Sequence, residues 1–177
     1  KQKTAYEISL GLVGSEMCIR DRIKDLVKNK LLDHIAIDIK APLRDEKKYK
    51  QLVGCQEITN FKSVLEFIED SIYYSLKGVK LVELRTTVIP EMLKREDVID
   101  IIRDVKDLVS HNKINNKIIY VLQQFIPSDT IMNKALRNLP RTDLKLLYDL
   151  AYVAKNEIRD AEIYIRAQEI GVLKISK

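Results

Sequence analysis

A carboxylate and an ammonium two positions apart on a strand point to the same side of a sheet, and the segment His34-Ile35-Ala36-Ile37-Asp38-Ile39-Lys40 supplies such a pair. Its alternation sets Ile35, Ile37 and Ile39 on one face and Ala36, Asp38 and Lys40 on the other. Asp38 and Lys40 could grip a zwitterion, Lys40 meeting a carboxylate and Asp38 an ammonium or a bound cation. The plainer alternative is an ion pair at a solvated strand end. Arg85 stands on a strand read over 79–89, with Leu81, Glu83 and Thr87 on its own face and Val82, Leu84, Thr86 and Val88 on the other. A guanidinium among β-branched residues needs an anion, which a ligand or Glu83 can supply. Gln123 and Gln124 face opposite sides of a strand read over 118–125. If Phe125 points inward so does Gln123, able to bond a ligand or a neighbouring strand end, while Gln124 packs toward the helices. Arg166 ends the last strand.

The elements that must carry these residues follow from the apolar periods. Helices are expected over 23–32, 61–76, 98–109 and 142–158, the second opened by Thr59 or Asn60 and closed by Gly78, the fourth capped by Thr142. Strands are expected over 34–40, 79–89, 118–125 and 162–166, each arriving after a helix. The run 44–50 reads as a solvated helical turn. Such alternation implies an α/β fold with about four parallel strands joined by right-handed crossovers. Three strands end at Pro42, Pro90 and Pro127, each after a polar patch, and in parallel α/β folds the chemistry sits at the carboxyl ends of the strands. Four βα units make about half a barrel, in which the strand over 34–40 is expected to lack a neighbour and leave the chain prone to aggregate.

Composition narrows the function classes. The chain has 177 residues, 46% hydrophobic and 32% charged, which suits one folded domain. The net charge of +5 is spread among interleaved signs and there is no tryptophan, so neither a nucleic-acid surface nor a stacking platform is expected. No run of eighteen apolar residues and no secretory leader are visible, so a cytoplasmic protein with no membrane partner is expected. Cys18 and Cys55 are too few and too far apart for a disulfide framework or a metal site made of cysteine. Cys55 reads as inert, and His34 and His111 as strand-entry and helix-end residues without a third ligand. Phosphate-cradling glycine loops, nucleophile elbows and H-E-x-x-H pairs are absent.

Residues 1–22, KQKTAYEISLGLVGSEMCIRDR, show no sustained period and resemble a sequencing adapter translated as coding sequence. They are therefore set apart as a non-native segment, which leaves 23–177 as the native part. Within that part, the series LLDHIAIDIKAP, LVELRTTVIPEM, YVLQQFIPSDT and AEIYIRAQ resembles the C-terminal half of radical S-adenosylmethionine enzymes that activate glycyl-radical enzymes. The resemblance is nearest to the activating proteins of anaerobic ribonucleoside-triphosphate reductase, relatives of the pyruvate formate-lyase activating enzymes. It implies a partial (β/α)6 TIM-like barrel and an oxidoreductase-class activase. It also implies a [4Fe–4S] cluster on a Cys-x3-Cys-x2-Cys loop, S-adenosylmethionine bound to the open iron, an electron donor, and a partner whose glycine loses hydrogen to a 5′-deoxyadenosyl radical.

By the same resemblance, Asp38 and Lys40 match a D-x-K strand end near the methionine carboxylate and, in some members, a cation. Arg85 and Thr87 match an R-x-[TV] strand end near the cofactor and the partner's glycyl loop. Gln123 and Phe125 fall where the next strand lines the pocket, although some relatives have histidine in place of Phe125. Arg166 matches a basic residue at the end of the last strand, assigned with Arg85 to the partner. The three-cysteine loop and the glycine-rich segment of the family are missing, and neither Cys18 nor Cys55 replaces them. The chain as written is thus expected to be an inactive fragment of an activase. Two alternatives stand beside this: a cluster-free α/β module that holds an anionic small molecule with Asp38, Lys40, Arg85 and Gln123, and a radical S-adenosylmethionine enzyme acting on a small molecule.

Overall fold

The computed structural model describes residues 6–8, 16–54, 59–112, 116–131 and 134–176, with backbone alone for 6–8, 16–21, 134 and 135. The alternating segments form β2 (His34–Asp38), β3 (Leu81–Val88), β4 (Lys117–Gln124) and β5 (Glu162–Ala167). The helical periods form α1 (Glu16–Lys28), α3 (Phe61–Gly78), α4 (Arg95–Ser110) and α6 (Leu144–Glu157). Four shorter elements complete the order: β1 (Tyr6–Ile8), α2 (Glu46–Val53), α5 (Lys134–Arg137) and β6 (Gly171–Lys174).

The strands lie side by side in chain order, β1 to β6; β1 to β5 are parallel and β6 returns antiparallel to β5. When each crossover is right-handed and the order never reverses, the helices fall on one face of the sheet. Here α1 packs on α3, α3 on α4 and α4 on α6, one layer of neighbours. The core fills the space between that layer and the sheet. Ile35, Ile37, Val82, Leu84, Leu122 and Ile163 meet Ile72, Leu76, Ile101, Ile102, Leu147 and Ala151, all excluded from solvent. Among the described residues the opposite face carries no helix layer, and it holds most of the polar residues of the strands, Thr86 and Gln124 excepted.

Several expectations need correction. Within 1–22 the described residues include β1, which pairs with β2 from Tyr6↔Ile35 to Ile8↔Ile37, and the first turns of α1 from Glu16. The strand over 34–40 therefore has neighbours on both sides, and it stops at Asp38. The helix expected over 23–32 ends at Lys28 because Lys30 takes a left-handed conformation, φ 55°, which turns Leu31 out to 60% exposure and Leu32 in. The charged run 44–50 is part of a two-turn helix, not a solvated turn. Asp45 caps it by accepting from the Lys48 amide at 2.9 Å, and Tyr49 is buried against Phe61. The fourth helix is capped by Asp143 through the Lys145 amide, not by Thr142. The sheet has six strands, five parallel, where four were expected; β6 is four residues long and exposed throughout, too short to show a period.

Gly78, expected to close α3, is its last residue and lies against α1, where an added Cβ would overlap Val27 Cγ1. In an open helix Gly→Ala stabilises by about 1 kcal/mol. Here Gly78→Ala is expected to destabilise by about 1–3 kcal/mol through overpacking, read as a lower urea midpoint. A raised midpoint would mean that α1 does not approach α3 this closely.

Candidate functional site

Parallel register brings the polar positions of successive strands into rows on the helix-free face. Asp38, Arg85, Val121 and Tyr164 are register partners across β2 to β5, and Thr87, Gln123 and Arg166 form the next row toward the carboxyl ends. Lys40 stands just past the end of β2. Five of the seven residues singled out from sequence, Asp38, Arg85, Thr87, Gln123 and Arg166, are thus set on one face by alternation and register together, and Lys40 meets Asp38 from just past the end of β2.

The ion pairing within this patch follows register. Asp38 Oδ1 accepts from Arg85 Nε at 2.7 Å, with the side chains 19% and 10% exposed. Its Oδ2 meets Lys40 Nζ at 3.5 Å. Glu83, weighed above as the partner of Arg85, pairs elsewhere: Oε1 with Arg166 Nη2 at 3.1 Å and Oε2 with His34 Nε2 at 3.6 Å. Two positions along one strand span about 6.6 Å, whereas a register partner is under 5 Å away, so Asp38 is the nearer anion for Arg85. Arg166 turns back from its strand end across β4 to reach Glu83. Thr87 Oγ1 donates to its register partner Gln123 at Oε1, 3.3 Å. Phe125 is buried at 6% exposure.

A second polar cluster ties the strand ends together, and sequence reasoning missed its centre. Thr142 Oγ1 donates to the Val88 carbonyl at 2.6 Å and accepts from the Phe125 amide at 2.7 Å. Gln124 turns to the helix side as expected, where Nε2 donates to the Thr142 carbonyl at 3.0 Å and Oε1 accepts from the Gln168 amide at 3.0 Å. The carboxyl ends of β3 and β4 and the β5–β6 turn are therefore held by buried hydrogen bonds. A threonine just before a helix reads as a cap, and that local signal hid the tertiary role. At the same rim Glu91, after Pro90, takes φ 65° in a turn closed by the Leu93 amide on the Ile89 carbonyl.

Lower on the open face, Glu162 gathers Lys174 Nζ at 2.8 Å, the Tyr164 hydroxyl at 2.9 Å and Lys117 Nζ at 3.1 Å. The Lys174 bond first, then those from Tyr164 and Lys117, hold its carboxyl at about 2. Cavities of about 710 and 400 Å³ lie around Asp100, Asp104 and Asp107 on α4 and around Asn156 in the last turn of α6 and Asp160 beyond it; no residue of the strand-end patch lines either. His111 bonds the Asp107 carbonyl through Nδ1 at the end of α4, a helix-end role as expected. Cys55 lies outside the described residues, and among these no three His, Cys, Asp or Glu side chains converge on a point that could hold a metal. No helix among the described residues is long and apolar enough to cross a membrane.

No family model matches the chain. A curated relative from Methanocaldococcus jannaschii, provisionally named as a glycyl-radical enzyme activating enzyme, is 33% identical over 141 residues. The match takes in 80% of this chain and 52% of the relative, so the chain spans about half the length of the curated relative it matches.

Two measurements probe the patch. Asp38→Asn weakens the charge-assisted bond that Arg85 Nε donates to its carboxylate in a nearly buried setting and is expected to cost about 1.5–3 kcal/mol, whereas Asp100→Asn, at the exposed Arg103–Asp100 pair, costs under about 1 kcal/mol. Equal losses in urea titrations would refute the placement of Arg85. Because Glu162 is held well below the ordinary carboxylate value of 4.5, its contribution is present above pH 4.5 and lost as pH falls toward 2. Glu162→Gln should flatten that acid limb of the stability curve.

Proposed function

We propose that this chain belongs to the radical S-adenosylmethionine enzymes that activate glycyl-radical enzymes, and that it carries the strand-end half of the cofactor site. The observation that supports this most is the convergence of Asp38, Lys40, Thr87 and Gln123 in one patch at the carboxyl ends of β2 to β4, in a chain whose curated relative bears that activity in its name. A partial (β/α)6 barrel would be wound in the same strand order, and the chain-order sheet with its layer of helices supports that reading.

The donor set suits the methionine portion of S-adenosylmethionine. Lys40 supplies a cation for its carboxylate, while Asp38, held in place by Arg85, supplies an anion for its ammonium or for a bound cation. Thr87 and Gln123 offer a hydroxyl and an amide on the next row. When bound, the cofactor would supply the radical that takes hydrogen from the partner's glycine. Arg85 serves in this reading as the internal counterion that fixes Asp38, with Arg166 the more exposed cation toward the partner, a glycyl-radical enzyme of the anaerobic ribonucleotide reductase type in the cytoplasm.

The iron–sulfur cluster does not fit the residues present. It needs three thiolates, and the sequence holds Cys18 and Cys55 alone. The cluster loop and the electron-donor surface are therefore assigned to a part of the parent enzyme that this sequence does not contain, with 1–22 a foreign segment at the junction. The 177-residue chain is inactive in this reading.

The test is calorimetric titration of the chain with S-adenosyl-L-methionine, alongside anaerobic reconstitution with iron and sulfide. Binding that falls at least tenfold in Lys40→Ala, with no stable cluster absorbance, is expected. A near-stoichiometric [4Fe–4S] spectrum would overturn the inactive assignment. Indifference to S-adenosyl-L-methionine together with Lys40-dependent uptake of a simple carboxylate would favour the anion-binding module instead. Sequencing the source DNA across the Arg22 and Ile23 codons checks the junction directly.

A further inference from the structure

The place where β2 leaves the sheet is held by side chains. Pairing of β2 with β3 ends at Asp38↔Arg85, and the next amide, Ile39 N–H, still donates to the Arg85 carbonyl at 2.7 Å. Continued pairing would set Lys40 opposite Thr87 and give the Ile39 carbonyl to a β3 amide. That carbonyl accepts instead from the hydroxyl of Thr86 at 3.1 Å. Thr86 is on the helix side of β3 and fully buried, a polar residue in a row otherwise made of Val82, Leu84 and Val88. Its oxygen in turn accepts from the Tyr120 hydroxyl at 3.0 Å. Burial pushes the Tyr120 phenol far above its ordinary range, so it remains a neutral donor.

The departing segment is caught on its other side as well. The Lys40 amide points to the Tyr49 hydroxyl of α2 at 3.4 Å, and the Leu43 amide donates to Asp104 Oδ2 of α4 at 2.8 Å. Polar side chains from β3, α2 and α4 thus take backbone groups that the sheet no longer serves. Hydrophobic replacement of Thr86 would suit the row it occupies, so a buried hydroxyl at this one position needs a reason.

We propose that Thr86, oriented by Tyr120, is a positioning residue: by taking the Ile39 carbonyl off the β3 ladder it sets where Lys40 stands relative to Asp38. The functional meaning rests on the reading of Asp38 and Lys40 as ligand-holding groups, whereas the positioning itself does not. Sequence periodicity places Thr86 among the buried residues of its strand and is silent about this bond.

Amide hydrogen exchange of the whole 177-residue chain separates positioning from simple stability. Thr86→Val keeps shape and removes the hydroxyl; exchange at Ile39 and Lys40 is expected to rise about five- to tenfold, the worth of one hydrogen bond, while Ile37 and Leu84 change much less. Thr86→Ser keeps the hydroxyl and should hold exchange at Ile39 and Lys40 near that of the unaltered chain. If Thr86→Val does not fold, the difference between Thr86→Ala and Thr86→Ser isolates the hydroxyl in the same way. A uniform rise across β2 and β3, or no rise at Ile39 and Lys40, overturns the proposal. In parallel, S-adenosyl-L-methionine should bind the unaltered chain and Thr86→Ser alike and Thr86→Val more weakly. No uptake by the unaltered chain would end the ligand reading, and the exchange result would still decide the positioning.

Discussion

The constraint behind the rest of the structure is that successive parallel strands are laid down side by side in chain order, and such crossovers keep one hand. Helices then have only one side on which to pack, and the other side of the sheet must be stable without a covering layer. Each strand answers this by its alternation, apolar toward the helices and polar outward. The outward residues are stabilised by their neighbours across strands: Asp38 by Arg85, Glu83 by Arg166, Glu162 by Lys117 and Lys174. Candidate site residues and fold-stabilising residues overlap on this face at Asp38 and Arg85, whose ion pair also stitches β2 to β3.

What could be read in the sequence was what local period encodes. β2 to β5 and the long helices follow from alternation and 3.6-residue spacing, and the prolines after β2, β3 and β4 mark the carboxyl ends where Asp38, Arg85, Thr87 and Gln123 gather. Partner choice was not legible, because it depends on register between strands 47 residues apart in sequence, as in the bond of Arg85 to Asp38. The role of Thr142 was misread for a related reason: its neighbours look like a helix start, while its hydroxyl serves Val88 and Phe125, 54 and 17 positions away. The strand within 1–22 carries no period at all, and β2 recruits it through backbone pairing that is indifferent to side-chain type.

The rim is fixed from beneath by buried hydroxyls and amides, Thr86 with Tyr120 under β2 and Thr142 with Gln124 under β3 and β4. Such groups are costly to bury unless every bond is made, and here their bonds go to backbone atoms of strand ends. The strand-end patch above is therefore carried on a polar underlayer, and its side chains are placed to a precision that apolar packing of exposed loops would not supply.

The reversal of β6 sets a polarity on the whole sheet. A parallel winding can be extended only by another strand running the same way, and the antiparallel β6 occupies the edge beyond β5 with Lys174 and Gly171 at its ends. That edge is a terminus of the winding in the architectural sense, a selvedge, while the edge at β1 keeps the running direction. Among the described strands one edge thus carries the direction of the winding and the other opposes it, so the two edges of this sheet are not equivalent.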